Sequence, residues 1–129
     1  MVRCKYYDRE RESMDNDKVF QIDFGKIYGL LLDKAIKKGR TKAAVDQIIS
    51  WLTGYSKAEI EDCRTASVCY GNFFLKAPQP NPARLLVTGA ICGVRVEKIE
   101  NPIMRDIRCL DKLIDELAKG KPVEKILWE

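Results

Sequence analysis

The chain has 129 residues, 46% of them hydrophobic and 33% charged, a balance that predicts one globular domain with its own core. Its 23 Lys and Arg against 19 Asp and Glu give a net charge of +4, too small by itself to mark a polyanion binder. No histidine occurs anywhere, which excludes Ser–His and Cys–His nucleophile pairs within one chain.

Residues 1–18 carry five positive and five negative groups and hardly any aliphatic residue, so a flexible charged arm is expected there. The start has no apolar signal-peptide centre and no run nears the ~20 apolar residues of a membrane span. The expected compartment is the cytoplasm. Asp23 is placed to cap a first helix, Phe24 to Lys38, whose broad apolar face includes Phe24, Ile27, Tyr28, Leu31 and Ala35. Thr41 caps a second, Lys42 to Thr53, with Val45, Ile48, Ile49 and Leu52 inward and Gly54 as its stop. Ser56 and Glu59 form a capping box for a third, short helix from Lys57 to Arg64. Residues 66–77 predict a short helix that donates aromatic bulk, and 78–82, Pro-Gln-Pro-Asn-Pro, a rigid loop.

Residues 82–100 match two templates. The Asn81-Pro82 start signal and the spacing of Ala83, Leu86, Val87, Ala90, Ile91 and Val94 favour a helix. The valines, isoleucines and two glycines also fit strand. We prefer the helix, in which Gly89 and Gly93 would admit a close neighbour. The clearest helix of all follows, between the Asn101-Pro102 start and the Gly120 stop. Ile103, Ile107, Leu110, Ile114 and Leu117 form its stripe, Met104 and Leu113 widen it, and Asp106, Asp111, Lys112 and Glu116 fall on the polar remainder. Pro122 to Trp128 reads as one or two closing turns. The architecture expected is all-α, a compact single-domain bundle of about six helices.

Several of these stretches occur together in known sequences. Residues 37–56, KKGRTKAAVDQIISWLTGYS, and 91–121, ICGVRVEKIENPIMRDIRCLDKLIDELAKGK, with KIL at 125–127, resemble a family of short uncharacterised bacterial proteins, domain of unknown function 2200. The resemblance covers roughly residues 20–128 and leaves 1–18 outside. It implies a bacterial origin and a single-domain layout, and brings no activity, cofactor or catalytic residue with it.

Candidate ligand-binding residues fall in two groups. One is the basic cluster Lys34, Lys37, Lys38, Arg40 and Lys42, of which Lys37, Lys38 and Arg40 are the best placed for an anion. The bland alternative is that these cations complement a helix C-terminus and remain in water. The other group is Cys92, Arg95 and Glu97, where an arginine three residues on would lower a thiol pKa. Buried thiols explain the five cysteines more simply, their odd count and spacing fit neither a disulfide set nor zinc, and no metal or cofactor is expected.

Two further patterns invite a functional reading. Residues 42–65 have the length and turn glycine of a helix-turn-helix, yet the second helix carries Glu59, Glu61 and Asp62 against Lys57 and Arg64, which would meet phosphates unfavourably. Asp111 and Asp115 share a helix face and could hold a cation, but Lys112 with Glu116 reads as an ordinary pair one turn apart. The leading expectation is a non-catalytic interaction or self-association module, a homo-oligomer or the partner of another protein, with its Tyr- and Trp-rich segments at the interface. Nucleic-acid binding through 42–65, and an enzyme using a cysteine or carboxylate site, are the alternatives.

Overall fold

The computed structural model describes residues 14–91 and 94–127. Seven α-helices lie among them: α1 (Met14–Gln21), α2 (Phe24–Lys37), α3 (Lys42–Thr53), α4 (Lys57–Thr65), α5 (Tyr70–Leu75), α6 (Pro102–Ala118) and α7 (Val123–Ile126). Between α5 and α6 runs a 3-10 turn, Pro82–Leu86, then an antiparallel hairpin of β1 (Ala90–Ile91) and β2 (Val94–Arg95), then a second 3-10 turn, Val96–Lys98. The class is all-α, with this hairpin as its only ladder among the described residues.

The helix ends follow from side-chain caps. Asp23 accepts from the Gly25 amide, Thr41 from Ala44, and Asn101 from Met104. Ser56 and Glu59 close their capping box in both directions, at 3.1 and 2.8 Å. Gly54 ends α3 at φ +83°, a left-handed conformation that favours glycine, and the proline-rich loop then closes over that end. Gln79 N–H donates to the Thr53 carbonyl at 3.0 Å and Asn81 N–H to Leu52 at 3.2 Å, so two otherwise orphaned carbonyls gain donors.

At the centre lies α6, packed against α2, α3, α5, α7, β1 and the second 3-10 turn. Ile107, Leu110, Leu113, Ile114 and Leu117 are fully buried along it. Its polar remainder is less solvated than the residue pattern suggests. Asp106 is buried and Lys112 half-buried where the 82–100 segment lies over them, and Asp111 is half-buried beside Arg108.

Among the described residues the phenylalanines and tyrosines build the core. Phe24 stacks on Phe73 at 3.9 Å between centroids and Tyr55 on Phe73 at 4.5 Å. Tyr28, Tyr55, Tyr70, Phe73 and Phe74 are all buried, while Trp51 is half-buried. Of the Tyr- and Trp-rich segments expected at an interface, Tyr28, Tyr55 and Tyr70 are therefore taken up by the core, Trp51 keeps part of its surface, and Tyr6, Tyr7 and Trp128 lie outside the described residues.

The helix preferred for 82–100 is also corrected. Asn81 caps only the 3-10 turn, and Val87 leaves it with extended backbone. Gly89 then takes φ +115°, and its carbonyl accepts the Val96 amide at 2.9 Å, which turns the chain into the hairpin. Leu86, placed on the inner face of the expected helix, is exposed. Gly89 opens no helix–helix approach, and Gly93 lies outside the described residues. Toward the N-terminus, α1 takes in residues 14–18 of the stretch expected to be an arm, while residues 1–13 lie outside the described residues.

Candidate functional site

The basic cluster at the α2–α3 junction is partly committed to internal contacts. Lys34 pairs with Asp115 at 3.2 Å, and Arg40 donates to the Lys121 carbonyl at 3.3 Å. Lys42 bridges Asp46 and Glu61, at 3.0 Å each. Those two carboxylates, Asp46 first, push the Lys42 ammonium above its ordinary pKa, and Lys42 in turn draws Glu61 below the usual carboxylate range. Lys37 and Lys38 stand exposed.

Residues 42–65 form two consecutive helices, as the pattern implied, but Glu61 and Arg64 of α4 turn inward to α2 and α3, while Lys57, Glu59 and Asp62 stand exposed. Glu61 holds Lys42 and Arg64, and the Arg64 guanidinium lies 4.5 Å from the Tyr28 ring centroid. Under it, the fully buried Tyr28 donates its hydroxyl to Asp46 at 2.5 Å. Burial, then the Asp46 hydrogen bond, raises the Tyr28 phenol to about 12. This polar network joins three helices and leaves Glu61 and Arg64 of α4 engaged with their own chain.

Cys92 lies outside the described residues, so its proposed thiol chemistry with Arg95 has no geometry to report. Arg95 and Glu97 do meet, through Nε and Oε2, and Glu97 also accepts the Gly89 amide at 3.0 Å. That backbone bond first, then Arg95, lowers the Glu97 carboxyl to about 2. Glu97 thus acts as the clasp of the hairpin. Burial pushes the Cys109 thiol up to about 12 and, with Asp62 and Glu59, raises Cys63. Neither thiol is poised as a thiolate near neutral pH.

On α6, Lys112 pairs with Glu116 at 3.5 Å, Arg108 with Asp111 at 3.2 Å, and Asp115 with Lys34 and Lys119. The Asp111–Asp115 face is thus occupied by cations of the chain itself. An open groove of about 440 Å³ is lined by Gln47, Ser50, Trp51, Lys57 and Leu127, none of them fully buried.

The feature that residue patterns did not reveal is the first 3-10 turn. Pro82, Leu85 and Leu86 are exposed on it, the two leucines at 52% and 53%. Its backbone is tied down from beneath. Arg84 pairs with the buried Asp106 at 2.9 Å and donates to the Asn81 carbonyl, also at 2.9 Å. Arg105 donates to the Leu85 carbonyl at 3.1 Å, and the Cys109 thiol faces the Arg84 carbonyl. Burial raises Asp106 above its ordinary pKa more than Arg84 lowers it. Arg84 and Asp106 are 22 residues apart, so no local spacing announces them.

These features define a small all-α protein whose polar clusters hold its own elements together and which sets two adjacent exposed leucines, Leu85 and Leu86, on one clamped turn, with Leu30 and Leu75 exposed singly on α2 and α5. The chain belongs to the family described as an uncharacterised protein conserved in bacteria, domain of unknown function 2200, whose model matches residues 18–128. It is similar to a solved structure titled "Crystal structure of uncharacterized protein SP1917", at 43% identity, with 91% of this chain and 93% of that one covered and a TM-score of 0.83. No curated protein matches the chain. Among the described residues no helix is long and apolar enough to cross a membrane.

Proposed function

We propose that the protein is a small non-catalytic association module of the bacterial cytoplasm that self-associates through the Pro82–Leu86 turn. One observation carries this reading: Leu85 and Leu86 are both more than half exposed on backbone that Arg84, Asp106 and Arg105 hold rigid. A rigid turn presents apolar area without a large ordering cost on binding. The area is small beside the ~800 Å² per partner of a standard interface, so the association is expected to be weak and concentration-dependent. The supporting context is that Tyr28, Asp46, Lys42 and Glu61 are engaged with one another inside the fold. The test is light scattering on the eluting protein, comparing the intact chain with Leu85→Ser/Leu86→Ser. The reading requires a mass that rises with concentration above 14.8 kDa in the former and stays there in the latter. A mass that is monomeric throughout, or a dimer indifferent to the leucines, would contradict it.

A further inference from the structure

At the opposite end of α6 the fold assembles a basic surface that neither contributing segment shows alone. Arg105 and Lys119 are separated by about 20 Å along the helix at ~1.5 Å per residue, so this surface is distinct from the leucine turn. The Lys34–Asp115 and Arg40–Lys121 contacts place the C-terminal ends of α2 and α6 side by side. Lys34, Lys37, Lys38 and Arg40 are thereby joined by Lys119 and Lys121, from some 80 residues further along the chain.

Six cations against Asp33, Asp115 and Glu116 leave +3 here, of the +4 carried by the whole chain. Among the described residues the remaining 13 cations and 12 anions nearly cancel, so most of their excess charge is gathered at this end. Complementing the two helix C-termini explains part of this, but that effect fades within the last turn and does not require Lys37, Lys38 and Lys119 all to stand exposed.

We infer that this end is a docking surface for an acidic, partly apolar segment of another protein. Three observations favour that partner over a nucleic-acid backbone. The exposed cations are mainly lysines, which attract as point charges, whereas the one arginine is already bonded to Lys121. Three carboxylates are interleaved among them, and these would repel a continuous run of phosphates. Ile36 is 52% exposed in the last turn of α2, beside Lys37, and offers an apolar contact that a phosphate backbone does not use.

The test is fluorescence anisotropy with a labelled peptide of alternating Glu and Leu, the same peptide with Gln for Glu, and a labelled DNA duplex. The intact protein should bind the Glu peptide with a Kd that rises with salt, and should bind the Gln peptide at least about tenfold more weakly. Lys37→Glu/Lys38→Glu should weaken the Glu peptide by about tenfold or more, and Ile36→Ser by a few-fold, with unchanged urea midpoints. Lys57→Glu, exposed at the start of α4, should change nothing. Equal binding of the two peptides, indifference to the Lys37/Lys38 reversal, or tighter binding of the duplex would each overturn the inference. A lost peptide signal with intact self-association would locate the failure here and not in the leucine turn.

Discussion

A methyl group added to Gly25 would lie 2.5 Å from the carbonyl oxygen of Arg64, whereas one added to Gly29, a turn further along α2, would meet nothing within 4 Å. The first contact is with backbone, which has no rotamer to yield, so α2 and α4 would have to separate. Gly25→Ala should therefore destabilise by about 1–3 kcal/mol despite the better helix propensity of alanine. Gly29→Ala should stabilise by about 0.5–1 kcal/mol, because only the backbone entropy changes. Urea titration of both variants checks the pair. The same sign at both positions would mean that α4 does not pack on α2 as described. The two glycines look alike in the residue string, and only the position of the Arg64 carbonyl separates them.

At the scale of elements, α6 should be intolerant at its centre. Leu110 is fully buried, and Leu110→Ala should cost about 2–5 kcal/mol, read as a fall in the urea midpoint. Lys112→Ala should cost less, about 1 kcal/mol, yet more than a solvated lysine, since the Lys112 side chain covers Gly89 and its amine pairs with Glu116. Equal losses at the two would put the buried face elsewhere. The hairpin makes a second prediction, through Glu97. Its folded pKa, about 2, lies below the ordinary carboxylate value of 4.5. A depressed acid contributes stability that is present above the unfolded value and lost as pH falls through the folded one. The Gly89 amide resonance should therefore titrate with a midpoint near 2, and Glu97→Gln should remove that titration. A midpoint near 4.5 would show that the clasp is open. Much of α2, α3, α4 and α6 was legible in the sequence because their ends are local chemistry: Asp23, Thr41, Ser56 with Glu59, and Asn101 each bond an amide within three residues. The 82–100 segment was not, because its shape is decided by distant partners. Asn81-Pro82 and the β-branched run gave opposing local signals, and the Arg84–Asp106 and Gly89–Glu97 bonds settled them. Helix α1 was missed because a charged stretch without aliphatic spacing gives little sign of the tertiary contacts that α1 makes with α5.

For the whole molecule, α6 ties the core together and separates two outward surfaces, an apolar turn near its start and a basic end at its finish. The candidate residues Lys37, Lys38 and Arg40 were visible as a local run, but Lys119 and Lys121 join them only through the packing of α2 on α6. Leu85 and Leu86 were invisible as contact residues, since an apolar pair next to an Asn-Pro signal reads as core until the turn is seen to face outward. The central claim is that the chain associates with itself through that turn. The measurement that tests it most directly is a dilution series of the isotope-labelled intact chain, followed by amide chemical shifts. The account predicts concentration-dependent shifts confined to residues 82–86 and the first turn of α6, fitting one weak dimerisation constant. Shifts that stay flat up to the highest soluble concentration, or that move on another face, would contradict it.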